Sequence, residues 1–167
     1  GQDLYQNAGK KTKKGAELEL NSQLNSNFVI DYSLTMGGYK FENFSNGEID
    51  YSKNNIAGIP NSFHKLSLNY TNDKGMNLVI SWKRVGKIYT NNSNTSLVTG
   101  YNLINFNFSK KVFLFGLDVT PFLAIGNLLN EKYIDNIRIN AFGSRFYEAA
   151  PKINFVSGIK FNLWKKR

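Results

Sequence analysis

The stretch that decides the fold is "GMNLVISWKRVG", Gly75 to Gly86. Met76, Leu78, Ile80 and Trp82 fall on one side of it, and Asn77, Val79, Ser81 and Lys83 on the other. A repeat of two marks a strand, because a helix would repeat its apolar positions every three or four residues. The same alternation spreads outward in both directions. Ala16, Leu18, Leu20 and Leu24 oppose Glu17, Glu19, Asn21 and Gln23. Phe28, Ile30, Tyr32, Leu34 and Met36 oppose Val29, Asp31, Ser33 and Thr35. Leu66, Leu68 and Tyr70 oppose Ser67 and Asn69, and Ile104, Phe106 and Phe108 oppose Asn105 and Asn107. In "VFLFGLDVT" Phe113, Phe115, Leu117 and Val119 oppose Leu114, Gly116, Asp118 and Thr120. Phe155, Ile159, Phe161 and Leu163 oppose Asn154, Gly158, Lys160 and Asn162. This reading yields seven strands, and no helical stripe of useful length is present.

Alternation fits two settings. A soluble antiparallel sheet has one face on a core and one in water. A membrane barrel has one face in lipid and one toward a polar lumen. The links separate the two. Residues 25–27, 72–74 and 110–111 make short links, whereas 42–62, 87–100 and 131–151 make long ones, in strict alternation. Outer-membrane barrels sort short turns to one side and long loops to the other. The expected fold is therefore all-β: an antiparallel, up-and-down transmembrane barrel segment of about seven strands, incomplete as a barrel. Phe113, Phe115, Leu117, Ile80, Leu78, Phe106 and Ile159 are expected to point outward, with Asp118 toward the lumen. On that reading an arginine at Phe115 costs about 2–4 kcal/mol.

Composition excludes other classes. The 167 residues suit one domain, and without cysteine there is no disulfide framework or thiolate metal site. The net charge of +9 comes from lysines in turns or scattered singly, so a solvated surface is the simpler reading and no nucleic-acid partner is expected. No run of 18 apolar residues predicts a transmembrane helix. The start, "GQDLYQNAGKK", has no leader pattern and reads as the continuation of something longer. His64 is the only histidine, and nothing near a nucleophile elbow accompanies it. No His/carboxylate spacing suggests a metal site, and Glu42, Glu48 and Asp50 read as solvated loop acids. Tyrosines at the rims, such as Tyr39, Tyr101, Tyr133 and Tyr147, suit interfacial anchoring. Tyr51, Tyr89 and Phe142, all in long links, are the candidates for stacking on a ligand. No catalytic set emerges, so the expected protein is not an enzyme.

Four segments carry a resemblance. They are "YQNAGKKTKKGAELEL" (Asn7, Gly9, Gly15, Glu17), "GIPNSFHKLSLNYT" (Gly58, Pro60, His64), "NLLNEKY" (Asn127, Leu128, Leu129, Lys132, Tyr133) and "FYEAAPKINFVSGIKFNL" (Pro151, Asn154, Phe155, Gly158). In this order they resemble the C-terminal barrel portion of TonB-dependent outer-membrane receptors. The resemblance departs at the end, where Leu163 stands in place of the family's terminal aromatic and "KKR" follows. It implies active uptake across the bacterial outer membrane of a large, scarce nutrient complex. An iron–siderophore leads, with haem or cobalamin as other options. It also implies outer-membrane lipid, the plug and remaining barrel of the same receptor, and the TonB complex as partners. Residues 1–167 would then be the C-terminal part of a barrel whose plug and N-terminal strands lie outside this chain. Barrels of this kind have 22 strands, so the first strand (Lys13 to Leu24) and the last (Ile153 to Leu163) are expected not to pair. The alternative is a self-standing small outer-membrane barrel with a structural or adhesive role, and a soluble β-sandwich binding module stands third.

Overall fold

The computed structural model describes residues 9–144 and 147–162. The strands in chain order are β1 (Lys10–Gln23), β2 (Phe28–Asn43), β3 (Ser45–Asn46), β4 (Ile49–Asp50), β5 (Ser62–Thr71), β6 (Met76–Val85) and β7 (Ile88–Tyr89). They continue with β8 (Leu97–Val98), β9 (Tyr101–Lys110), β10 (Val112–Leu114), β11 (Leu117–Gly126), β12 (Ile134–Ile137), β13 (Tyr147–Ala149) and β14 (Asn154–Asn162). The seven long members are the seven strands expected from alternation. They form one antiparallel sheet in the order β1-β2-β5-β6-β9-β11, with β14 on the far side of β11. Short strands β3–β4, β7–β8 and β12–β13 are hairpins inside the three long links. All long links leave one end of the sheet and all short turns the other, as the link lengths predict.

Cross-strand partners share a face, so the register assigns every side chain. Ile30, Leu68, Ile80, Phe106, Ile125 and Phe155 make one continuous row. Its neighbour two residues along is Tyr32, Leu66, Trp82 and Ile104. The opposite face carries Asp31, Ser67, Ser81 and Asn105 in the corresponding row. Across the middle of the sheet these rows make one face apolar and the other mainly polar. Rings bracket the apolar band: Phe28 on Tyr70 at 4.7 Å near the short turns, and Tyr32, His64 and Trp82 toward the long links. The Tyr32 hydroxyl lies 3.0 Å from His64 Nδ1, and Trp82 Nε1–H donates to Asn102 Oδ1 at 3.2 Å. From the Phe28 row to the His64 row is about 20 Å at about 3.4 Å per residue.

The sheet does not close. Among the described residues β1 pairs only with β2, and β14 only with β11, so the first and last strands do not meet.

The sixth strand departs from expectation. It spans Leu117–Gly126 rather than 112–120, and the turn sits at Phe115–Gly116 rather than at 110–111. Phe115 (φ 51) and Gly116 (φ 80) are both left-handed, the geometry of a two-residue hairpin. Phe115 is therefore a turn residue, 93% exposed, and belongs to neither face. Phe113 pairs with Asp118 and shares the polar face with it, so it does not point outward with the apolar band. Leu117, Ile80, Leu78, Phe106 and Ile159 do lie on the apolar face, and Asp118 on the polar one. Pro121 explains why β9 and β10 count as two strands. Their ladders with β11 share one register, which would place Lys110 opposite Pro121. Proline has no N–H to give that ladder, while on the other side of the strand Lys111 N–H donates to the Gly75 carbonyl at 2.8 Å.

Candidate functional site

The end of the sheet that bears the long links carries the candidate site. Three neighbouring strands end on the polar face with apolar residues: Phe63, Val85 and Tyr101 in one row, Leu103 in the next. Val85, Ile88, Tyr101 and Leu103 form the buried cluster, with Phe63, Tyr133 and Ile137 packed on it. The third long link thus folds inward over the polar face, and its Tyr133 ring lies 4.6 Å from that of Tyr101. Burial raises the Tyr133 hydroxyl above the usual tyrosine range, and the Asp135 carboxylate adds to the effect.

Asparagines zip the three links together. Asn54 Nδ2 donates to the Asn92 carbonyl (2.9 Å), Asn55 N–H donates to Asn94 Oδ1 (2.7 Å) and Asn94 Nδ2 donates to the Asn55 carbonyl (2.8 Å). Asn92 N–H donates to Asn140 Oδ1 (2.9 Å) and Asn140 N–H to the Thr90 carbonyl (2.9 Å). Thr90 at the centre is fully buried, with its hydroxyl unpaired. Gly58 sits where these links cross. Its φ is 81°, its N–H donates to the Tyr89 carbonyl (2.8 Å), and a Cβ there would lie 2.3 Å from Ile139 Cδ1. Gly58→Val should therefore cost about 2 kcal/mol or more from strain and overpacking together. Faster proteolysis within 86–100 and 127–153 would report it; an unchanged digestion pattern would contradict the crossing.

Asn127 anchors the base of the third link. It is 3% exposed at φ 53°. Its Nδ2 donates to the carbonyls of Glu131 (2.8 Å) and Pro151 (3.3 Å), and its Oδ1 accepts the Glu131 N–H (2.8 Å). Its own N–H donates to Asn105 Oδ1 at 3.0 Å. Asn130, also left-handed, accepts the Ile153 N–H at 3.2 Å. The polar segment "GNLLN" is thus a turn whose side chains tie the exit of β11 to the entry of β14.

The other motif residues have local roles. Leu128 N–H donates to the Ile104 carbonyl at 2.7 Å. Asn154 covers Gly126, its cross-strand partner, where a Cβ would lie 2.8 Å from Asn154 Oδ1. The Phe122 ring covers Gly158 in the same way, and Lys160 Nζ stands 5.6 Å from that ring. Gly15 faces Gly37, with the Met36 carbonyl 2.4 Å from any added Cβ. Glu17 pairs with Thr35 on the polar face, Phe155 with Ile125 on the apolar one, and Pro60 precedes β5. Asn7, Leu163 and the terminal "WKKR" lie outside the described residues.

The three stacking candidates sit apart in kind. The Tyr51 ring lies 5.5 Å from that of Phe44, which stacks on Phe41 at 4.7 Å. Tyr89, in the second link, borders a small depression with Tyr39 and Ile59. Phe142 is fully exposed on the third link. A wider cavity of about 540 Å³ lies between the second and third links, lined by Leu97, Tyr101, Glu131, Lys132, Tyr133 and Lys152. Sequence reasoning treated Tyr101 as an anchor, and Tyr133 as an anchor and a motif residue, neither as part of a cluster; apolar residues breaking the alternation at one end of adjacent strands were the available signal.

Near the β12–β13 hairpin, Glu148 accepts from Asn136 Nδ2 (3.2 Å) and Arg138 Nη2 (2.7 Å). These bonds, with the guanidinium charge, hold its carboxyl below the usual glutamate range. A lowered folded-state pKa gives stability that is complete above the ordinary glutamate value and is lost as pH falls through the lowered one. The protection of the Ile134–Ile137 amides, relative to their intrinsic exchange rate at each pH, should therefore fall only below the ordinary glutamate pKa. Loss of that protection near neutral pH would contradict it.

Residues 1–128 match the family model described as TonB dependent receptor-like, beta-barrel. The siderophore receptor PiuA from Acinetobacter baumannii is similar at 19% identity and a TM-score of 0.75, the match covering 90% of this chain and 22% of that one. The ferric preacinetobactin receptor BauA of the same organism is similar at 18% identity and 0.75, covering 92% and 22%. The copper transporter OprC is similar at 18% and 0.64, covering 89% and 22%. The chain spans about a fifth of the length of these structures. They are receptors and transporters, not enzymes, and their likeness concerns the fold. The match over most of the chain, on a sheet with one apolar and one polar face, places this chain in the TonB-dependent receptor β-barrel family.

Proposed function

We propose that the chain is the C-terminal barrel portion of an outer-membrane receptor that actively takes up a large, scarce nutrient complex, an iron–siderophore before haem or cobalamin. The observation that carries this is the unclosed sheet with its faces sorted by polarity. Unpaired strand edges are not tolerated in hydrocarbon, so β1 and β14 need further strands beside them. In this reading the rest of the same receptor supplies those strands and the plug, and the TonB complex supplies the energy. The apolar face meets outer-membrane lipid, the polar face lines the lumen, and no nucleic acid takes part. Tyr51, Tyr89 and Phe142 are the proposed ligand-stacking residues of the external loops.

The work is differential binding and gating, without bond chemistry. The small-barrel alternative needs a ladder between the first and last strands, and the described residues contain none. Uptake of radiolabelled ferric siderophores by cells with and without the gene tests the reading. Loss of uptake in the deletion, restored by the gene but not in cells lacking TonB, is expected. Uptake that is equal in both strains, or restored without TonB, would overturn it. Loss confined to copper accumulation would redirect the ligand assignment toward a metal ion.

A further inference from the structure

Charge is distributed unequally between the two faces. Of the carboxylates on the seven long strands, Glu17, Glu19, Asp31 and Asp118 lie on the polar face by register. Glu42 alone falls on the apolar side. Lys10 Nζ pairs with it at 2.7 Å, and the Thr12 hydroxyl bonds to it. Just above the apolar band, beyond the Ala16–Met36 pair, the apolar side turns basic. Lys14 pairs with Gly38 and Thr12 with Lys40. The first long link then adds Lys53. Its N–H donates to the Phe41 carbonyl (2.7 Å), and Phe41 N–H donates to the Asn54 carbonyl (3.0 Å), extending the β2 ladder upward. Thr12, Lys14, Lys40, Phe41, Lys53 and Glu42, the last neutralised by Lys10, line a groove of about 540 Å³ whose floor is opened by Gly38, where a Cβ would meet nothing within 4 Å. Lys14, Lys40 and Lys53 are exposed and make no ion pair among the described residues; the nearby carboxylates are Glu42 and Asp50.

We propose that this groove holds the phosphate of an anionic lipid headgroup in the membrane leaflet at the long-link end. The inference rests on the reading that the apolar face meets lipid. A soluble ligand of the lumen would meet the other face. A lipid whose chains lie on Leu18, Leu34 and Met36 would carry its headgroup to the height of the lysines. Basic side chains beside a bilayer attract anionic lipid with an affinity worth about fivefold per lysine.

The test uses the full-length protein in nanodiscs of phosphatidylcholine doped with phosphatidylglycerol. Native mass spectrometry counts the phosphatidylglycerol retained. The triple variant Lys14→Gln/Lys40→Gln/Lys53→Gln should retain less, with about a fivefold loss of preference per lysine removed. The control Lys13→Gln/Lys65→Gln, on the polar face, should retain as much as the unmodified protein. Equal retention by the triple variant would overturn the proposal. So would displacement of the bound lipid by millimolar inorganic phosphate, which would make the groove a soluble-anion site. A nitroxide at Leu68→Cys separates the two levels. If it is inaccessible to oxygen, the lipid-facing reading itself fails. If it is accessible while lipid retention is unchanged, only the headgroup site fails.

Discussion

Ile80→Arg should lower the stability of the receptor folded in liposomes by about 2–4 kcal/mol, read from the shift in its denaturant midpoint. Ile80 lies at the centre of the apolar face, between Leu68 and Phe106 in the same row. An arginine there must place a guanidinium in hydrocarbon or bend toward the interface, and the cost is greatest at mid-membrane. Phe115→Arg should change stability by no more than about 0.5 kcal/mol, since surface changes away from packed features seldom do more. Its side chain is 93% exposed on a hairpin turn. The contrast is the informative part. A large loss at Phe115 with little at Ile80 would mean that the register around the sixth strand has been misread.

Asn127→Ala should destabilise the base of the third link by about 2–4 kcal/mol. It removes an acceptor and a donor that together satisfy two backbone carbonyls and one N–H, in a site 3% exposed. Each buried polar group left without a partner costs about 1–3 kcal/mol. Alanine must also adopt φ 53°, a left-handed conformation that costs about 1–2 kcal/mol outside glycine and asparagine. Asn127→Gly keeps the backbone freedom and loses the bonds, so it should be milder than alanine by about 1 kcal/mol. Hydrogen exchange at Glu131 and Ile153 measures both. If the two variants are equal, the left-handed backbone contributes nothing. If neither speeds exchange, the turn is held by something other than Asn127.

Alternation made most of this sheet legible. In β6 a strict period of two put Leu78, Ile80 and Trp82 on one face, and the register agrees row by row with β5 and β9. Link lengths fixed the up-and-down order because only short turns can join neighbours at one end. The reading failed at "VFLFGL", where an apolar run hid a turn. Phe115–Gly116 lacks the asparagine or aspartate that usually marks a two-residue hairpin, so the run looked like one strand. Pro121, the residue that breaks the neighbouring ladder, sat just beyond it. The candidate site was less legible because it is tertiary. Nothing local in "NLLNEKY" tells that Asn127 reaches Pro151, or that Tyr133 lies on Tyr101. Phe63, Val85 and Leu103 broke the alternation at one end of three strands, and only the folded link above them gives the reason.

The central claim is that the sheet's two faces meet lipid and lumen. A nitroxide scan of residues 77–83 in the full-length receptor in liposomes tests it most directly. Labels at Leu78, Ile80 and Trp82 should be relaxed by oxygen, and those at Asn77, Val79, Ser81 and Lys83 by a water-soluble nickel chelate, with a period of two. Water-soluble relaxation at every position, or a period other than two, would contradict the account.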